Sequence, residues 1–245
     1  MAKPASKNPR MRIERDSMGE LRVPASALWG AQTQRALDNF HLSGRPMPSA
    51  FVQALALVKA SAAVVNGHLG LLDRARADAI MEAATAIAGG AHADQFPVDR
   101  YQTGSGTSSN MNANEVIAHV AAAASQQAIH PNDHVNLGQS SNDVIPTALR
   151  VMAVQGARQD LLPALRHLRK DPYTREIPII MISGNAQATE QFYVQRIGAD
   201  DFMKKPFSRA EVFMRIEALL DAENIPRHGS KPGTRAEAAA AAGEG

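Results

Sequence analysis

The sequence predicts a mixed fold, with a mainly α-helical amino-terminal segment followed by a partial doubly wound α/β segment. Three observations predict it. Before residue 165, long stretches repeat apolar residues at helical spacing and stop at glycine. At 177–183, "IPIIMIS" is a β-branched apolar run of the kind found in a central parallel strand. After that run, strand and helix alternate, which is the plan of a doubly wound sheet.

The elements follow in order. Residues 1–11 are expected to be a disordered tail. "MRIERDSMGELRVPAS" reads as short extended pieces, and "ALWGAQTQRALDNF" as a helix. In "PSAFVQALALVKASAAVVNGHLG", Phe51, Leu55, Val58, Ala62 and Val65 share one helical face, Ser49 can cap, and Gly67 and Gly70 can stop. "DRARADAIMEAATAIAGG" repeats the plan, with Asp73 as cap and Gly89-Gly90 as stop. "SSNMNANEVIAHVAAAASQQAI" is a third long helix whose small residues suit close packing. A further helix opens at Ser141 or Asn142, tolerates Pro146 near its first turn, and is expected to kink or break at Pro163.

Beyond Lys170 the expected order is the strand "IPIIMIS", the amphipathic helix "AQATEQFYVQRIG", a short strand in "ADDFMKKPF", and a helix "SRAEVFMRIEALLDAEN" capped by Ser208 with Glu211. Two strands are too few for a covered parallel sheet. Residues 225–245 are of low complexity and expected to be disordered.

Composition bounds the partners. The 245 residues carry a formal net charge of +2, with basic residues scattered apart from the two ends, so no nucleic acid partner is implied. There is no cysteine, which excludes disulfides and thiolate chemistry. No uninterrupted apolar run reaches the roughly 18–20 residues that span a bilayer, and the amino-terminal region lacks the apolar segment of a secretory signal. The expectation is a cytoplasmic protein with no membrane partner.

Two polar loops carry the chemistry of the helical segment. In "YQTGSGTSSNMNANE", Gly104 and Gly106 permit tight turns that let successive N–H groups converge on an anion. Ser105, Thr107, Ser108 and Ser109 add donors at a helix start. The same residues also suit a glycine-rich connector with a capping serine. In "HPNDHVNLGQSSNDVIPTALR", Ser140, Ser141 and Asn142 present neutral donors at another helix start, and His130 with Asp133 can form a polar cluster. The spacing of His130, Asp133 and His134 matches no closed metal-ligand set, so no metal is expected.

"RIERDSMGELRVPASALWGAQTQRALDNF", "TGSGTSSNMNANEVIA" and "HPNDHVNLGQSSNDVIPTA" together resemble class II fumarases of the fumarase/aspartase superfamily, over about residues 12–165. The resemblance implies reversible hydration of fumarate to malate, with no cofactor. It implies that Ser105, Gly106 and Thr107 bind one end of the dicarboxylate and Ser140, Ser141 and Asn142 bind near the other. It further implies that His130, Pro131, Asn132 and Asp133 belong to a second dicarboxylate site. The implied partners are fumarate or malate and, at the protein level, a homo-oligomer or a complementing fumarase chain. The family's catalytic Thr-His pair and its mobile Gly-Ser-Ser serine loop have no counterpart, so this chain is expected to hold no complete catalytic set and to be inactive alone. Asp99 and Arg100 replace an apolar stretch before Gln-Thr-Gly, which reads as a loosened approach to the loop.

About residues 167–221 resemble the second half of a response-regulator receiver domain. Ser183 matches the hydroxyl that senses a phosphoryl group, Lys205 the phosphate-contacting lysine before a proline whose peptide bond is usually cis, and Phe202 the aromatic switch. No phosphoacceptor aspartate precedes them. The junction falls near Leu165 to Arg169 without a spacer. Three expectations follow: a fumarase-type lyase, a phosphorelay-like signalling or interaction module, or a chimera with no independent activity.

Overall fold

A computed structural model describes residues 10–184 and 199–220. Most of the amino-terminal tail, the expected helix at 186–198 and the carboxy-terminal tail lie outside those residues. The chain divides into two compact units, Met1–Val154 and Gln155–Gly245.

The first unit opens with an antiparallel hairpin of β1 (Met11–Asp16) and β2 (Gly19–Pro24), paired from Met11 opposite Pro24 to Asp16 opposite Gly19. Met11, expected in the disordered tail, is therefore a strand residue. Arg12 ties the hairpin to the next segment, donating to the carbonyls of Pro24 (3.0 Å), Trp29 (2.7 Å) and Ala27. Arg35 grips Asp16 through two bonds of 2.9 and 3.0 Å, which hold that carboxyl below its usual range.

Helix α1 (Ala31–Asn39) has no side-chain cap of its own. Its amino terminus is instead satisfied by a buried carboxylate from a distant helix. Glu115 accepts from the backbone of Gly30 (2.9 Å), Gln32 (2.9 Å) and Thr33 (3.1 Å), and from the Thr33 hydroxyl (2.6 Å). A negative group at a helix start meets both the free N–H groups and the partial positive charge there. A Cβ on Gly30 would stand 2.9 Å from Glu115 Oε1, so only glycine lets the carboxylate come this close.

Three helices make the core: α2 (Ser49–His68), α3 (Arg74–Ala88) and α4 (Thr107–Ser125). Phe51, Leu55, Ile80, Ile87, Val116 and Ile117 are all at most 1% exposed, each contributing roughly 1.5–3 kcal/mol. Small residues bring the helices close, as expected: a Cβ on Gly67 would stand 2.8 Å from that of Ala77. By length and composition α2 could cross a membrane, but it packs into this core, burying Phe51, Ala54, Leu55, Ala56, Ala60 and Ala63.

The face of α2 departs from expectation. Val65 is 53% exposed, Val58 and Ala62 are half-buried, and the buried line instead runs through Phe51, Leu55, Lys59, Ala63 and Asn66. Pro48, not Ser49, occupies the cap position. Asp73 caps α3 as expected, accepting from the Arg76 N–H at 3.0 Å, and Gly89 ends it.

A π-helical turn (Pro131–Val135) leads to α5 (Ser141–Gly156). The cap of α5 is Ser140, one residue before the expected position. Its hydroxyl accepts from the Asn142 N–H at 3.2 Å, while Asp143 reaches back to the Ser140 N–H at 3.1 Å. This reciprocal pair satisfies two donors at once.

The second unit holds a π-helical turn (Ala157–Leu161), α6 (Leu162–Lys170), β3 (Ile180–Ser183), β4 (Asp201–Lys204) and α7 (Arg209–Ala218). The helix is interrupted ahead of Pro163, at the turn that ends in Leu161, because proline cannot donate to the carbonyl four residues before it. Strands β3 and β4 pair in parallel, Ile180 opposite Asp201 through Ser183 opposite Lys204. β4 is buried at Asp201, Phe202 and Met203, but Ile182 on β3 is 46% exposed, as befits two strands with no further neighbour among the described residues. Arg169 pairs with Asp200 (2.7 Å) and Arg215 with Asp201 (2.7 Å). Ser208 caps α7 as expected, accepting from the Glu211 N–H at 3.1 Å.

Candidate functional site

The two polar loops are brought together within the first unit. Gly106 lies against α5: a Cβ there would stand 3.2 Å from Ile145, and its φ of +67° would strain any other residue. Deeper in, Asn110 Nδ2 donates to Ser141 Oγ at 3.3 Å. Ser105–Thr107 and Ser140–Asn142, about thirty-five residues apart in sequence, thus flank one surface region. Ser105, Thr107, Ser140 and Asn142 are exposed, and Gly106 and Ser141 half-buried.

Part of the first loop's backbone is turned inward. Of its two central glycines only Gly106 has a positive φ. The Gly106 N–H donates to the Thr103 carbonyl (2.9 Å) and the Thr107 N–H to the Thr103 hydroxyl (3.2 Å). The Ser109 N–H goes to Gln102 Oε1 (2.8 Å), and Gln102 Nε2 returns to the Ser109 hydroxyl (2.7 Å). The N–H groups of Ser105 and Ser108 have no such partner among the described residues and remain available beside the hydroxyls, and Ser105 Oγ and Thr107 Oγ1 lie 2.7 Å apart.

Asp99 also departs from expectation, since it pins the approach to this loop and does not loosen it. One oxygen accepts from the backbone of Ser43 (2.7 Å) and Gly44 (2.8 Å), the other from the Ser43 hydroxyl (2.8 Å) and the Tyr101 N–H (2.9 Å). Burial alone would raise the carboxyl, but these bonds outweigh it and hold the group far below the ordinary carboxylate range.

A buried polar network underlies the second loop. Lys59 Nζ donates to Asn136 Oδ1 at 2.9 Å, the same oxygen accepts from Asn110 Nδ2 at 3.2 Å, and Asn66 holds the Leu137 carbonyl at 2.9 Å. Lys59 has no exposed surface, and burial pushes its ammonium down to about 7, with Asp143 opposing the shift. Sequence reading missed Lys59 and Asn136. The signal that could have found Lys59 was its place in the Phe51–Leu55–Ala63 line.

His130, Pro131 and Asn132 line a cavity of about 540 Å³ together with Glu14, Arg15 and His119. His130 Nδ1 stands 3.2 Å from the Asp133 N–H and 3.0 Å from Asp133 Oδ2. One ring nitrogen cannot accept from the first and donate to the second at the same time. Burial, and then Arg12, lower the pKa of His119, and Glu14 opposes them. In the second unit, Ser183 ends β3, its carbonyl accepts from the Lys205 N–H at 2.8 Å, Phe202 is 2% exposed, the Lys205 side chain is exposed, and the Lys205–Pro206 bond is cis.

The helical core presents two hydroxyl-rich helix starts side by side. A protein-family model described as lyase matches residues 19–176, and the chain belongs to that family. Among curated relatives, the class II fumarate hydratase of Xylella fastidiosa is 62% identical over 165 residues, 67% of this chain and 35% of the relative. That of Corynebacterium glutamicum is 57% identical over 159 residues, 65% of this chain and 33% of the relative. Among solved structures, class II fumarase from Schistosoma mansoni superposes with a TM-score of 0.63 at 41% identity, covering 66% of this chain and 35% of that one. A fumarate lyase:delta crystallin from Brucella melitensis gives 0.63 at 44% identity, covering 66% and 39%. The chain spans about a third of the length of the curated relatives it matches.

Proposed function

We propose that the first unit supplies the dicarboxylate-binding loops of a fumarate hydratase. The observation that carries this is the meeting of the Ser105–Thr107 and Ser140–Asn142 loops through Gly106–Ile145 and Asn110–Ser141. Removing the proton from the carbon beside one carboxylate of malate turns that carboxylate into a dianionic aci-acid, and loss of hydroxide from the neighbouring carbon then gives fumarate. Fixed neutral donors stabilise that growing charge without reorganising. Ser105 and Thr107 bind one carboxylate and Ser140, Ser141 and Asn142 act near the other, while His130 to Asp133 form a second dicarboxylate site beside their cavity.

The base and the serine loop of the fumarase pattern have no counterpart in this sequence, so the bond-making groups come from a complementing chain in an oligomer. Malate-to-fumarate conversion followed by absorbance tests this. No turnover is expected from the purified chain, and turnover is expected once a carboxy-terminal fumarase fragment is added. Silence in both mixtures removes the lyase reading.

The second unit supports a different reading, a receiver-like interaction module. Its support is the parallel β3–β4 pair, which sets Ser183 beside Lys204 and Lys205, with Phe202 buried behind. Without an aspartate ahead of Ser183 in a matching strand, no phosphotransfer is expected. Intact mass after incubation with acetyl phosphate and magnesium should be unchanged, and a phosphoryl increment would refute this form of the reading. A chimera without activity is the remaining reading, favoured if neither assay nor ligand binding responds.

A further inference from the structure

We infer that Lys59 is a positioning residue for the dicarboxylate site, a buried cation that sets the Ser141 hydroxyl through the side-chain amides of Asn136 and Asn110; this rests on the reading of the Ser140–Asn142 loop just given. Lys59 lies at the middle of α2 and is wholly buried. Its Nζ and Asn110 Nδ2 share one acceptor, Asn136 Oδ1, at 2.9 and 3.2 Å, and Asn110 Nδ2 also reaches Ser141 Oγ at 3.3 Å. A serine oxygen that accepts from Asn110 keeps its own proton for another partner. The network therefore turns Ser141 into a donor at the start of α5, where the helix already favours an anion.

Packing does not account for this arrangement. A buried ammonium held by one neutral amide oxygen costs stability, and an apolar residue of the same volume would usually do better. Asn110 Oδ1 adds to that cost, being buried without a hydrogen-bond partner among the described residues. The charged group whose field reaches Lys59 is Asp143 on α5, while Asn136 from the loop and Asn110 from α4 meet there as neutral amides. A dicarboxylate seated on Ser141 adds negative charge to the same region. By reciprocity, a ligand that favours protonated Lys59 is itself bound better when Lys59 is protonated.

The test is a titration of the full chain with succinate, a dicarboxylate that does not react, followed by backbone amide NMR. Wild type should respond at Ser105–Thr107 and Ser140–Asn142, with an affinity that falls as pH rises through about 7. Lys59→Met should bind about tenfold more weakly at low pH and show no such pH dependence. Equal affinity and an equal pH profile in wild type and K59M overturn the inference and leave the loop reading standing. Wild type that does not respond at these loops overturns both. Should K59M fail to fold, the side-chain carbon resonance of Lys59 in wild type decides: succinate should raise its titration midpoint, and an unmoved midpoint overturns the inference.

Discussion

Lys59 is the residue at which sequence and structure diverge most. Apolar spacing selects Val58 and Ala62 for the inner face of α2, yet a lysine takes the buried position between them. Its ordinary value of 10.5 falls to about 7, a penalty of roughly 4–5 kcal/mol while the charge is retained. Below about pH 7 both the folded and unfolded chains are protonated and the folded chain carries the whole penalty. Between about 7 and 10.5 the unfolded chain binds more protons, so stability should rise with pH. Urea unfolding at successive pH values should show that rise in wild type and lose it in Lys59→Met. Gly106 is another residue whose surroundings dictate its identity. Gly106→Ala combines a positive φ with a 3.2 Å approach to Ile145 and should cost about 1–2 kcal/mol in the same assay.

At the scale of elements, helix ends explain more of this fold than helix propensity does. Helix α1 is short, and its start depends on Glu115, eighty-two residues beyond Thr33. Glu115→Ala leaves the half-buried N–H groups of Gly30 and Gln32 and the buried one of Thr33 without an acceptor and should destabilise by about 2–3 kcal/mol, more than the loss of an exposed cap. Asp73→Ala, at the exposed start of α3, should cost about 1 kcal/mol, and thermal unfolding of the two variants side by side measures the difference. Asp99 is a fastener of another kind, joining residues 43 and 44 to the stretch before the Ser105 loop. Its depressed carboxyl contributes stability above the ordinary aspartate range and loses it as pH falls toward the folded value. Amide exchange at Ser43, Gly44 and Tyr101 should therefore quicken in acid before exchange in the core does.

For the whole molecule, both units leave large apolar side chains exposed among the described residues, Leu42 at 71% and Leu69 at 66% in the first. The first closes a continuous core around Phe51, Ile80 and Ile117. In the second, Phe213, Met214 and Ile216 on α7 are 52%, 62% and 42% exposed, and Tyr173 is 92% exposed. Exposed apolar clusters favour association, so Phe213→Glu with Met214→Glu should reduce aggregation in light scattering and leave succinate binding unchanged. Local sequence by itself determined the long helices, the caps at Asp73 and Ser208, the glycine stop of α3, the strand character of 180–183 and both polar loops, because periodicity and capping act between residues a few positions apart. Tertiary structure alone decided that Lys59 is buried, that Glu115 starts α1 and that Asp99 is a fastener. Each of those depends on partners tens of residues away, and burial and hydrogen bonding follow proximity in space, which no local pattern encodes.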